Sequence, residues 1–449
     1  MSGVAEINST LEKEAPILYR ALSRLGREVY FPPDIPFQAN EAKGTRLNGT
    51  IGVFTDGAGN ALPLVSMSEV LDLDRDDLNS AFLYSPMLGL PELRNAWRTW
   101  QRTEQSDVAP APQLATTLPI VTHGLTHGLG LCADLFGGEG TVLAITTPFW
   151  GNYRQIFSLR TGVEVRTAPA YRERVFDPLA HASILAALPP GEPAMVLLNF
   201  PSNPGGYSPT TAEFEQLRRS LIEAAAERPL VVICDDAYGG LVFAEDVPNR
   251  SLFWSLIGQH ENLIPIKIDG ATKEFAFFGG RVGFLTFGLG LSPAAAKALE
   301  NKISGLVRAA LGSPAALSQV VLLQALRGGS VKAEVDEVRA VAADRYAAVQ
   351  PALAELDPEL LRPLPFNSGF FVMLELNPAL GLDPQDVRRY LIAHHDTGIV
   401  ASAPNYLRLA ICSVSEDGLP EMVRRIEQGV REMAAQYAAS AAATSSHSG

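Results

Sequence analysis

Residues 263–288 read LIPIKIDGATKEFAFFGGRVGFLTFG, and the pattern of this stretch recurs along much of the chain. An apolar run at 263–268 ends in a turn of small residues that carries Lys273, and a second apolar run follows at 282–288. Short apolar runs bounded by glycine-rich turns are typical of strands that are buried on both faces. The stretch therefore predicts two core strands with a lysine in the connection between them.

Five further apolar runs of the same kind precede this stretch. They are LPIVT (118–122), TVLAIT (141–146), VEVRTA (163–168), AMVLLNF (194–200) and LVVICDD (230–236). Helical patterns separate several of them, for example TAEFEQLRRSLIEAAAE at 211–227. Continuous apolar strands that alternate with helices predict an α/β fold, with a mostly parallel sheet and helices on both of its faces.

The two ends of the chain follow other patterns. Residues 28–62 are rich in Pro, Gly and Asn and predict loops and short extended pieces, whereas residues 291–350 are mostly helical. Further on, FFVMLEL and YLRLAI predict two strands, and a closing helix follows from Glu416. This last part of the chain predicts an α+β segment that is separate from the large sheet.

The composition excludes several classes of protein. The 449 residues include 49 acidic and 36 basic ones, which gives a formal net charge of −13 and argues against a nucleic-acid partner. Three widely spaced cysteines exclude a disulfide scaffold and a CxxC metal site. No apolar run is long enough to span a membrane, and the N-terminus has no signal-peptide pattern. The sequence therefore predicts a cytoplasmic protein with no membrane span.

Several candidate binding residues lie where predicted strands end, which is where open α/β sheets bind their ligands. Gly124, Leu125 and Thr126 open a helical pattern and can hold an anion, although such glycine-rich turns also occur without a ligand. Trp150 is either a stacking platform for a planar ring or a packing residue. Asn203 is either a donor to a ligand oxygen or part of a plain turn.

Ionisable groups lie at two further strand ends. Asp235 and Asp236 close an apolar strand, where one carboxylate is expected to cap a helix and the other to meet a cation. Lys273 is one of only seven lysines, and partial burial would lower its pKa and make its amine a nucleophile for carbonyls. A solvated lysine is the alternative. Arg281 follows in a glycine-flanked loop.

These residues together describe a single ligand. It is planar, carries an aldehyde and a phosphate, and has a ring nitrogen that needs a counter-charge. Pyridoxal phosphate has all of these features. We therefore expect pyridoxal 5′-phosphate as the cofactor, and no metal.

The segment GATKEFAFFGGRVG at 270–283 resembles the lysine signature of the class I/II aminotransferases, which are fold type I pyridoxal-phosphate enzymes. The resemblance covers about residues 28–437 and implies a mostly parallel seven-stranded sheet sandwiched by helices, plus a smaller α+β domain. The implied parts are an N-terminal arm at 1–27, a large cofactor domain at 63–318, a small domain at 28–62 and 319–438, and a disordered tail at 439–449.

The resemblance also implies the roles of the cofactor residues. Lys273 would form the aldimine and carry the proton, while Asp235 would pair with the ring nitrogen. Tyr238 and Asn203 would bond the ring's oxygen. The phosphate and the ring face would be held by the rest of the set, which is Gly124, Leu125, Thr126, Trp150, Thr272, Arg281 and Tyr84. Tyr84 resembles a tyrosine that reaches the neighbouring subunit's phosphate, which implies a homodimer with shared active sites.

Asn203 is also expected to contact the substrate, and three further residues resemble the family's substrate contacts. Arg408, in YLRLAI, and Gly52 would bind the substrate α-carboxylate, although a surface strand arginine is the alternative reading of Arg408. Arg308, in LVRAALGSPA, resembles the partner-subunit arginine that binds a side-chain carboxylate; a helix-surface arginine is the alternative. Two departures from the aspartate branch of the family are Tyr153, in place of a histidine, and Gly270, in place of a serine that Thr272 would replace.

The predicted function is transamination between an L-amino acid and a 2-oxo acid by a ping-pong mechanism, with glutamate and 2-oxoglutarate as one pair. A pyridoxal-phosphate lyase of the cysteine-S-conjugate β-lyase type shares most of the cofactor residues and remains an alternative. A transcription regulator that senses the cofactor is a weaker alternative. Such regulators carry a DNA-binding domain ahead of this fold, and this chain is acidic.

Overall fold

The computed structural model describes residues 3–31, 34–56, 59–68, 74–103 and 115–445. The helices are α1 Gly3–Glu14, α2 Pro16–Ala21, α3 Arg24–Glu28, α4 Ile35–Glu41, α5 Val65–Ser68, α6 Arg75–Phe82, α7 Pro91–Thr103, α8 Gly124–Phe136, α9 Ala180–Ala186, α10 Thr211–Ala226, α11 Phe253–Leu256, α12 Ala271–Glu274, α13 Pro293–Leu311, α14 Ala316–Gly328, α15 Val331–Ala354, α16 Pro384–His395 and α17 Gly418–Ser445.

The strands fall into a large sheet, a small sheet and two short pairs. They are β1 Leu47–Asn48, β2 Ile120–His123, β3 Val142–Thr147, β4 Glu164–Pro169, β5 Tyr171–Arg172, β6 Val175–Phe176, β7 Ala194–Asn199, β8 Leu230–Asp235, β9 Leu263–Gly270, β10 Val282–Phe287, β11 Leu361–Pro363, β12 Phe371–Leu376, β13 Thr397–Gly398, β14 Val400–Ser402 and β15 Tyr406–Ala410.

The large sheet has seven strands in the order β2-β10-β9-β8-β7-β3-β4. Its strands run parallel except β10, which is antiparallel to both of its neighbours, β2 and β9. Strands β8 and β10 are buried along their whole length, as their continuous apolar runs require. The structure confirms the predicted mostly parallel seven-stranded sheet.

Helices cover both faces of this sheet. Neighbouring residues of β8 point to opposite faces, so Ile233 packs in a cluster with Leu129 of α8 and Val307 of α13. Val232 packs on the other side with Leu217 of α10. Two apolar layers therefore hold the sheet, and the polar chemistry is left to its edges and strand ends.

The small sheet has the order β11-β12-β15-β14 and is antiparallel throughout. Strands β12 and β15 are the predicted FFVMLEL and YLRLAI strands, and they pair with Met373 opposite Arg408. Helices α15, α16 and α17 pack on this sheet through residues such as Val349, Leu391 and Ile426. The predicted boundary between residues 318 and 319 lies inside α14, and the division into domains stays a prediction.

Two segments differ from their predictions. The segment 28–62, predicted as loops and extended pieces, contains the helix α4. Gln38 of this helix exchanges two hydrogen bonds with the backbone of Ala401, a contact 363 residues away that local sequence does not reveal. The closing helix continues to Ser445, whereas a disordered tail was predicted from 439; its alanine-rich sequence favours a helix. Residues 446–449 lie outside the described part.

Within the described part of the chain, no helix is long and apolar enough to cross a membrane. The same residues contain no cluster of His, Cys, Asp and Glu side chains that could bind a metal ion.

Candidate active site

A cavity of about 250 Å³ opens at the carboxyl ends of β7 and β8, beside the short helix α12. Strands β7 and β8 pair in register so that Asn199 lies opposite Asp235, which brings the two strand-end side chains to one edge. The cavity contains most of the residues predicted from the sequence, which are Gly52, Leu125, Thr126, Trp150, Asn203, Asp235, Tyr238, Thr272, Lys273, Arg281 and Arg408.

Asp235 is buried at the floor of this cavity, with 3% of its surface exposed. Its Oδ2 atom accepts a hydrogen bond of 2.7 Å from the phenol of Tyr153, and its Oδ1 atom accepts one from the backbone N–H of Ala237. Burial raises the pKa of Asp235 to about 6, although the bond from Tyr153 opposes this rise. The carboxylate is therefore held in one orientation with little water around it.

The predicted helix cap at this strand end was wrong. No helix starts directly after Asp235 and Asp236, because residues 237–240 form turns. Asp236 points to the opposite face of the sheet, where its Oδ2 atom lies 2.6 Å from the Nζ atom of Lys267. The cation that compensates Asp236 therefore comes from β9, and Asp235 is left facing the cavity.

Lys273 lies in α12, directly after β9. Its Nζ atom donates a hydrogen bond of 3.1 Å to the backbone oxygen of Gly52 and lies 4.8 Å from the ring centre of Phe278. Burial, with a further contribution from Arg281 and Arg408, lowers the pKa of the amine to about 8. A substantial fraction of this lysine is therefore neutral, and nucleophilic, near neutral pH.

Asn203 links two sides of the cavity. Its Nδ2 atom donates to the Tyr238 hydroxyl at 3.5 Å, while its Oδ1 atom accepts from Arg408 at 3.2 Å. The backbone N–H of Asn203 donates to the side chain of Asn199. The turn that carries Asn203 is fixed by these bonds, and its amide group lies between a phenol and a guanidinium.

An anion-binding corner lies where α8 begins. Gly124 has a φ of +72°, and a Cβ at this position would overlap the guanidinium of Arg281. The guanidinium is therefore in close contact with the first turn of α8, whose free N–H groups favour anions. The hydroxyl of Thr272 is buried here and has no hydrogen-bond partner in the described structure.

Arg408 is buried against the opposite wall, with 2% of its surface exposed. Its Nη2 atom donates to the backbone oxygen of Thr50 at 2.6 Å, and its guanidinium carbon lies 4.2 Å from the ring centre of Phe371. Its Nε atom is buried and has no partner in the described structure. Burial lowers the pKa of this guanidinium to about 10, and these contacts exclude the alternative of a surface strand arginine.

Three predicted residues are not among those that line this cavity: Gly124 contacts the lining residue Arg281, and the other two lie apart from the cavity. Tyr84 has 95% of its surface exposed, beside the exposed side chains of Phe82 and Leu83. Arg308 is exposed near the end of α13. Neither residue meets the cavity of its own chain, so any role of these residues requires a second subunit.

Seven residues that line this cavity are not among the predicted ones, and three of them make the side-chain contacts described above. Asn199 ends an apolar strand, and the same signal singled out Asp235, so it could have been found. Phe371 lies in a run of apolar strand residues that shows no polar signal. Tyr153 stands where a branch of the family has a histidine behind the ring-binding aspartate, and its phenol bonds to Asp235, 82 positions away.

The model of the aminotransferase class I and II family matches residues 47–426 of this chain. The chain belongs to this family. A probable aspartate/prephenate aminotransferase from Thermus aquaticus is 25% identical over 354 residues, which cover 78% of this chain and 84% of that protein. A 2-aminoadipate transaminase from Thermus thermophilus is 25% identical over 368 residues, which cover 79% of this chain and 83% of that protein.

Solved aminotransferase structures share the fold. The structure of an aminotransferase from Anaerococcus prevotii has a TM-score of 0.77 at 21% identity and covers 91% of this chain and 98% of its own. The structure of a kynurenine aminotransferase from Pyrococcus horikoshii has a TM-score of 0.76 at 18% identity and covers 92% of this chain and 98% of its own. At these identities the similarity establishes the architecture and not the substrate.

The cofactor of class I and II aminotransferases is pyridoxal 5′-phosphate, and the cavity of this aminotransferase fits it. The guanidinium of Arg281 lies at the start of α8, where a phosphate needs donors, and the unpartnered hydroxyl of Thr272 belongs to the same cavity. Asp235 offers a buried carboxylate to a ring nitrogen, and Lys273 offers an amine of lowered pKa to an aldehyde. The donor set therefore matches the phosphate, the ring nitrogen and the aldehyde of this cofactor.

Proposed function

We propose that this aminotransferase moves the amino group of an L-amino acid to a 2-oxo acid in two half-reactions within the cavity. The bound cofactor supplies the carbonyl that takes up the amino group and a ring that withdraws electrons from the substrate Cα. The observation that carries the proposal is the buried amine of Lys273, which shares one cavity with Asp235 and Arg408.

Lys273 is the base and acid of the proposed reaction. Because burial lowers the pKa of its amine to about 8, the neutral form that accepts a proton is far more populated near neutral pH than in an exposed lysine. The hydrogen bond to the Gly52 oxygen holds the Nζ atom on the side of the cavity that also carries Arg408. Lys273 is thus in a position to take the proton from the substrate Cα and to return it to the cofactor carbon that carried the aldehyde.

Asp235 keeps a negative charge opposite the ring nitrogen. The phenol of Tyr153 stabilises the ionised carboxylate, and a protonated ring nitrogen would stabilise it further. On the other side, the amide of Asn203 and the hydroxyl of Tyr238 are 3.5 Å apart and both are available to one ring oxygen. Trp150 lines the same cavity and would lie against the ring face.

The phosphate belongs at the start of α8. Gly124, Leu125 and Thr126 form the first turn of α8, whose backbone N–H groups, with the Thr126 hydroxyl, would hold the phosphate as the helix N-termini of P-loop and Rossmann folds do. Arg281 adds a charge that can form two parallel hydrogen bonds. Thr272 adds a buried hydroxyl, which is unpartnered in the described structure.

Arg408 and Gly52 bind the α-carboxylate of the substrate in this proposal. The unpartnered Nε atom of Arg408 is available to one carboxylate oxygen, while the bonds to Thr50 and Asn203 fix the guanidinium plane. A Cβ at Gly52 would overlap the ring of Phe371, so only glycine allows the backbone this close to the site. An arginine suits this position because its planar guanidinium can donate to both oxygens of a carboxylate.

We further propose a homodimer in which the active sites are shared. Phe82, Leu83 and Tyr84 form an exposed group that includes two large apolar side chains, and such groups mark interaction surfaces. Tyr84 would reach the partner subunit's phosphate corner, and Arg308 would reach a substrate side-chain carboxylate there. A mixture of inactive Lys273→Ala and Tyr84→Phe subunits should regain activity on subunit exchange, because one hybrid site combines both intact residues. No recovery in proven heterodimers would refute this proposal.

Glutamate and 2-oxoglutarate are the proposed common substrate pair, and Arg308 is the residue that tests it. Arg308→Ala should slow the half-reaction with glutamate at least about tenfold, the cost of one lost charged hydrogen bond. The half-reaction with alanine, which lacks the second carboxylate, serves as the control and should stay unchanged. An unchanged glutamate rate would exclude Arg308 from substrate recognition. A cytoplasmic location remains a prediction from the sequence.

The function itself is tested with Lys273→Ala. The variant should bind the cofactor without a covalent bond and should lose the half-reaction with every amino donor. A β-lyase would instead release pyruvate and ammonia from cysteine conjugates at many turnovers without an oxo acid. Wild-type protein that behaves in this way and forms no aminated cofactor would favour the lyase alternative.

A further inference from the structure

A second cavity, of about 160 Å³, lies on the other face of the large sheet, behind β7 and β8. Side chains alternate along these strands: Leu198 and Phe200 line this cavity, whereas Asn199 lines the active-site cavity. Likewise, Asp236 lines it whereas Asp235 faces the cofactor side. The two cavities are therefore separated by the thickness of one sheet.

The walls of this second cavity are apolar on one side and cationic on the other. Phe214, Leu217 and Leu252 form much of the apolar side. The charged residues that line the cavity are four cations and one anion, which are Arg250, Lys267, Lys332, Arg339 and Asp236. An anion with an apolar body matches this division of the walls.

Arg250 differs from the other cations because it forms no ion pair with a described residue, although its charge helps to lower the pKa of Glu215. Lys267 is paired with Asp236 at 2.6 Å, and Lys332 is paired with Asp336 at 2.8 Å. Arg250 makes no hydrogen bond or ion pair to any described residue. Its guanidinium carbon lies 5.4 Å from the ring centre of Phe214, at the boundary between the two walls.

Unpartnered donors also collect around this cavity. The Nε atoms of Arg250 and Arg339 and the indole N–H of Trp100 are buried without a hydrogen-bond partner among the described residues, and all three residues line the cavity. Buried donors normally have a partner, in the protein, in water or in a ligand. Three of them at one cavity with a cationic wall indicate that an acceptor binds there.

We propose that this second cavity binds a small organic acid, with its carboxylate at Arg250 and Arg339 and a single apolar ring or chain against Phe214 and Leu217. A cavity of about 150 Å³ lined by apolar residues accommodates one benzene ring. The volume of about 160 Å³ therefore suits one ring, with the carboxylate at the cationic wall.

This second site is coupled to the active site through Arg339. Its Nη2 atom lies 2.8 Å from Glu274, which follows Lys273 in the chain and is itself 8% exposed. The same guanidinium contacts the backbone of Gly240, so closely that a Cβ there would overlap it. A ligand carboxylate at Arg339 competes with Glu274 for one guanidinium, and the charge beside Lys273 changes as a result. Occupancy therefore lowers kcat without competing with the substrate.

Binding is tested with 3-phenylpropionate and the cofactor-loaded protein by calorimetry. Saturating 2-oxoglutarate is present, because in the proposed function it covers Arg408 and keeps the probe out of the active-site cavity. Wild type should bind one probe per subunit, and Arg250→Gln should weaken the affinity at least about tenfold. Arg219→Gln is the matched control, since Arg219 lies on the exposed face of α10, and it should bind as wild type does. The uncharged 3-phenylpropan-1-ol should bind at least about tenfold more weakly than the acid.

The coupling is tested by steady-state rates with the same probe. Saturating 3-phenylpropionate should lower kcat about fivefold, a typical coupling between two sites, and high substrate should not restore it. Arg250→Gln should keep its basal kcat and lose this inhibition. The proposal is overturned by inhibition that substrate fully relieves, or by equal probe affinity in wild type and Arg250→Gln. Because the calorimetry needs no turnover, a loss of affinity in Arg250→Gln supports the second site even if the proposed transamination fails.

Discussion

The phenol of Tyr153 donates a hydrogen bond of 2.7 Å to the Oδ2 atom of Asp235, and both residues are buried. A phenol at this position can only donate to a carboxylate, because burial and the carboxylate itself raise the pKa of Tyr153 far above neutral. The bond therefore stabilises the ionised form of Asp235 without adding a charge. It offsets part of the burial that otherwise raises the pKa of this carboxyl.

The first prediction concerns Tyr153→Phe. Without the donor, the pKa of Asp235 rises, so a larger fraction is protonated at a given pH and the ring nitrogen loses its counter-charge. One hydrogen bond to a charged group amounts to about 1.5–3 kcal/mol, or roughly one to two pH units. The acidic limb of the profile of kcat/KM against pH should therefore move upward by about one unit, with activity recovering at higher pH.

Tyr207→Phe provides the control for this prediction. Tyr207 is also buried and donates a bond of 2.7 Å to a carboxylate, that of Glu213, outside the active-site cavity. This variant should show a wild-type pH profile even where its stability falls. An identical profile in Tyr153→Phe and wild type would show that the bond has no electrostatic role.

The second prediction follows from the pKa of about 8 for Lys273. The neutral amine attacks the cofactor aldehyde, so the rate of cofactor recapture by cofactor-free protein should rise with pH below 8 and level off above it. A lysine at its ordinary pKa of 10.5 would keep accelerating to well above pH 10. Stopped-flow absorbance over a pH series measures this rate, and a midpoint near 10 would contradict the burial of the amine.

The third prediction concerns Gly124→Ala. The added Cβ overlaps the Arg281 guanidinium, and alanine disfavours a φ of +72°. Displacing the guanidinium removes a charged bond to the phosphate, so the Kd for the cofactor should rise at least about tenfold. Gly138→Ala is the control, because a Cβ at Gly138 meets nothing within 4 Å and its φ is not positive. Equal cofactor affinity in the two variants would show that Arg281 at the start of α8 does not bind the cofactor phosphate.

The fourth prediction concerns Arg408→Lys. The substitution keeps the positive charge but loses the guanidinium that can donate to both carboxylate oxygens, and it loses the bond to Thr50. Breaking one partner of a buried, hydrogen-bonded charge pair costs about 2–5 kcal/mol, so kcat/KM for amino donors should fall about a hundredfold. Cofactor content should stay at the wild-type level. A loss of cofactor with unchanged KM would place Arg408 in cofactor binding instead.

The large sheet was predictable because each of its strands is a continuous apolar run, and that signal is local. The residues at its strand ends were predictable for the same reason, since a polar residue such as Asp235 stands out after an apolar run. The role of Lys273 could not be predicted from its position in the sequence alone. A solvated lysine stayed possible until the structure placed its amine between Gly52 and Phe278.

The remaining features depend on residues that are distant in sequence. Asp236 was expected as a possible helix cap because nothing local reveals Lys267, its partner in the neighbouring strand. Arg408 looks like a surface strand arginine until the bond to Thr50, 358 positions away, is known. The opposite directions of Asp235 and Asp236 follow from strand geometry, but the second cavity behind them depends on how α10 packs on the sheet.

The central claim is that the amino group leaves the donor and stays on the enzyme until an oxo acid arrives. A single-turnover measurement tests it most directly: cofactor-loaded protein is mixed with excess glutamate and no oxo acid, and products are counted per site. We expect one equivalent of 2-oxoglutarate per site, full conversion of the cofactor to its aminated form, no free ammonia, and reversal on adding an oxo acid. Release of ammonia, or of more than one equivalent of oxo acid per site, would contradict it.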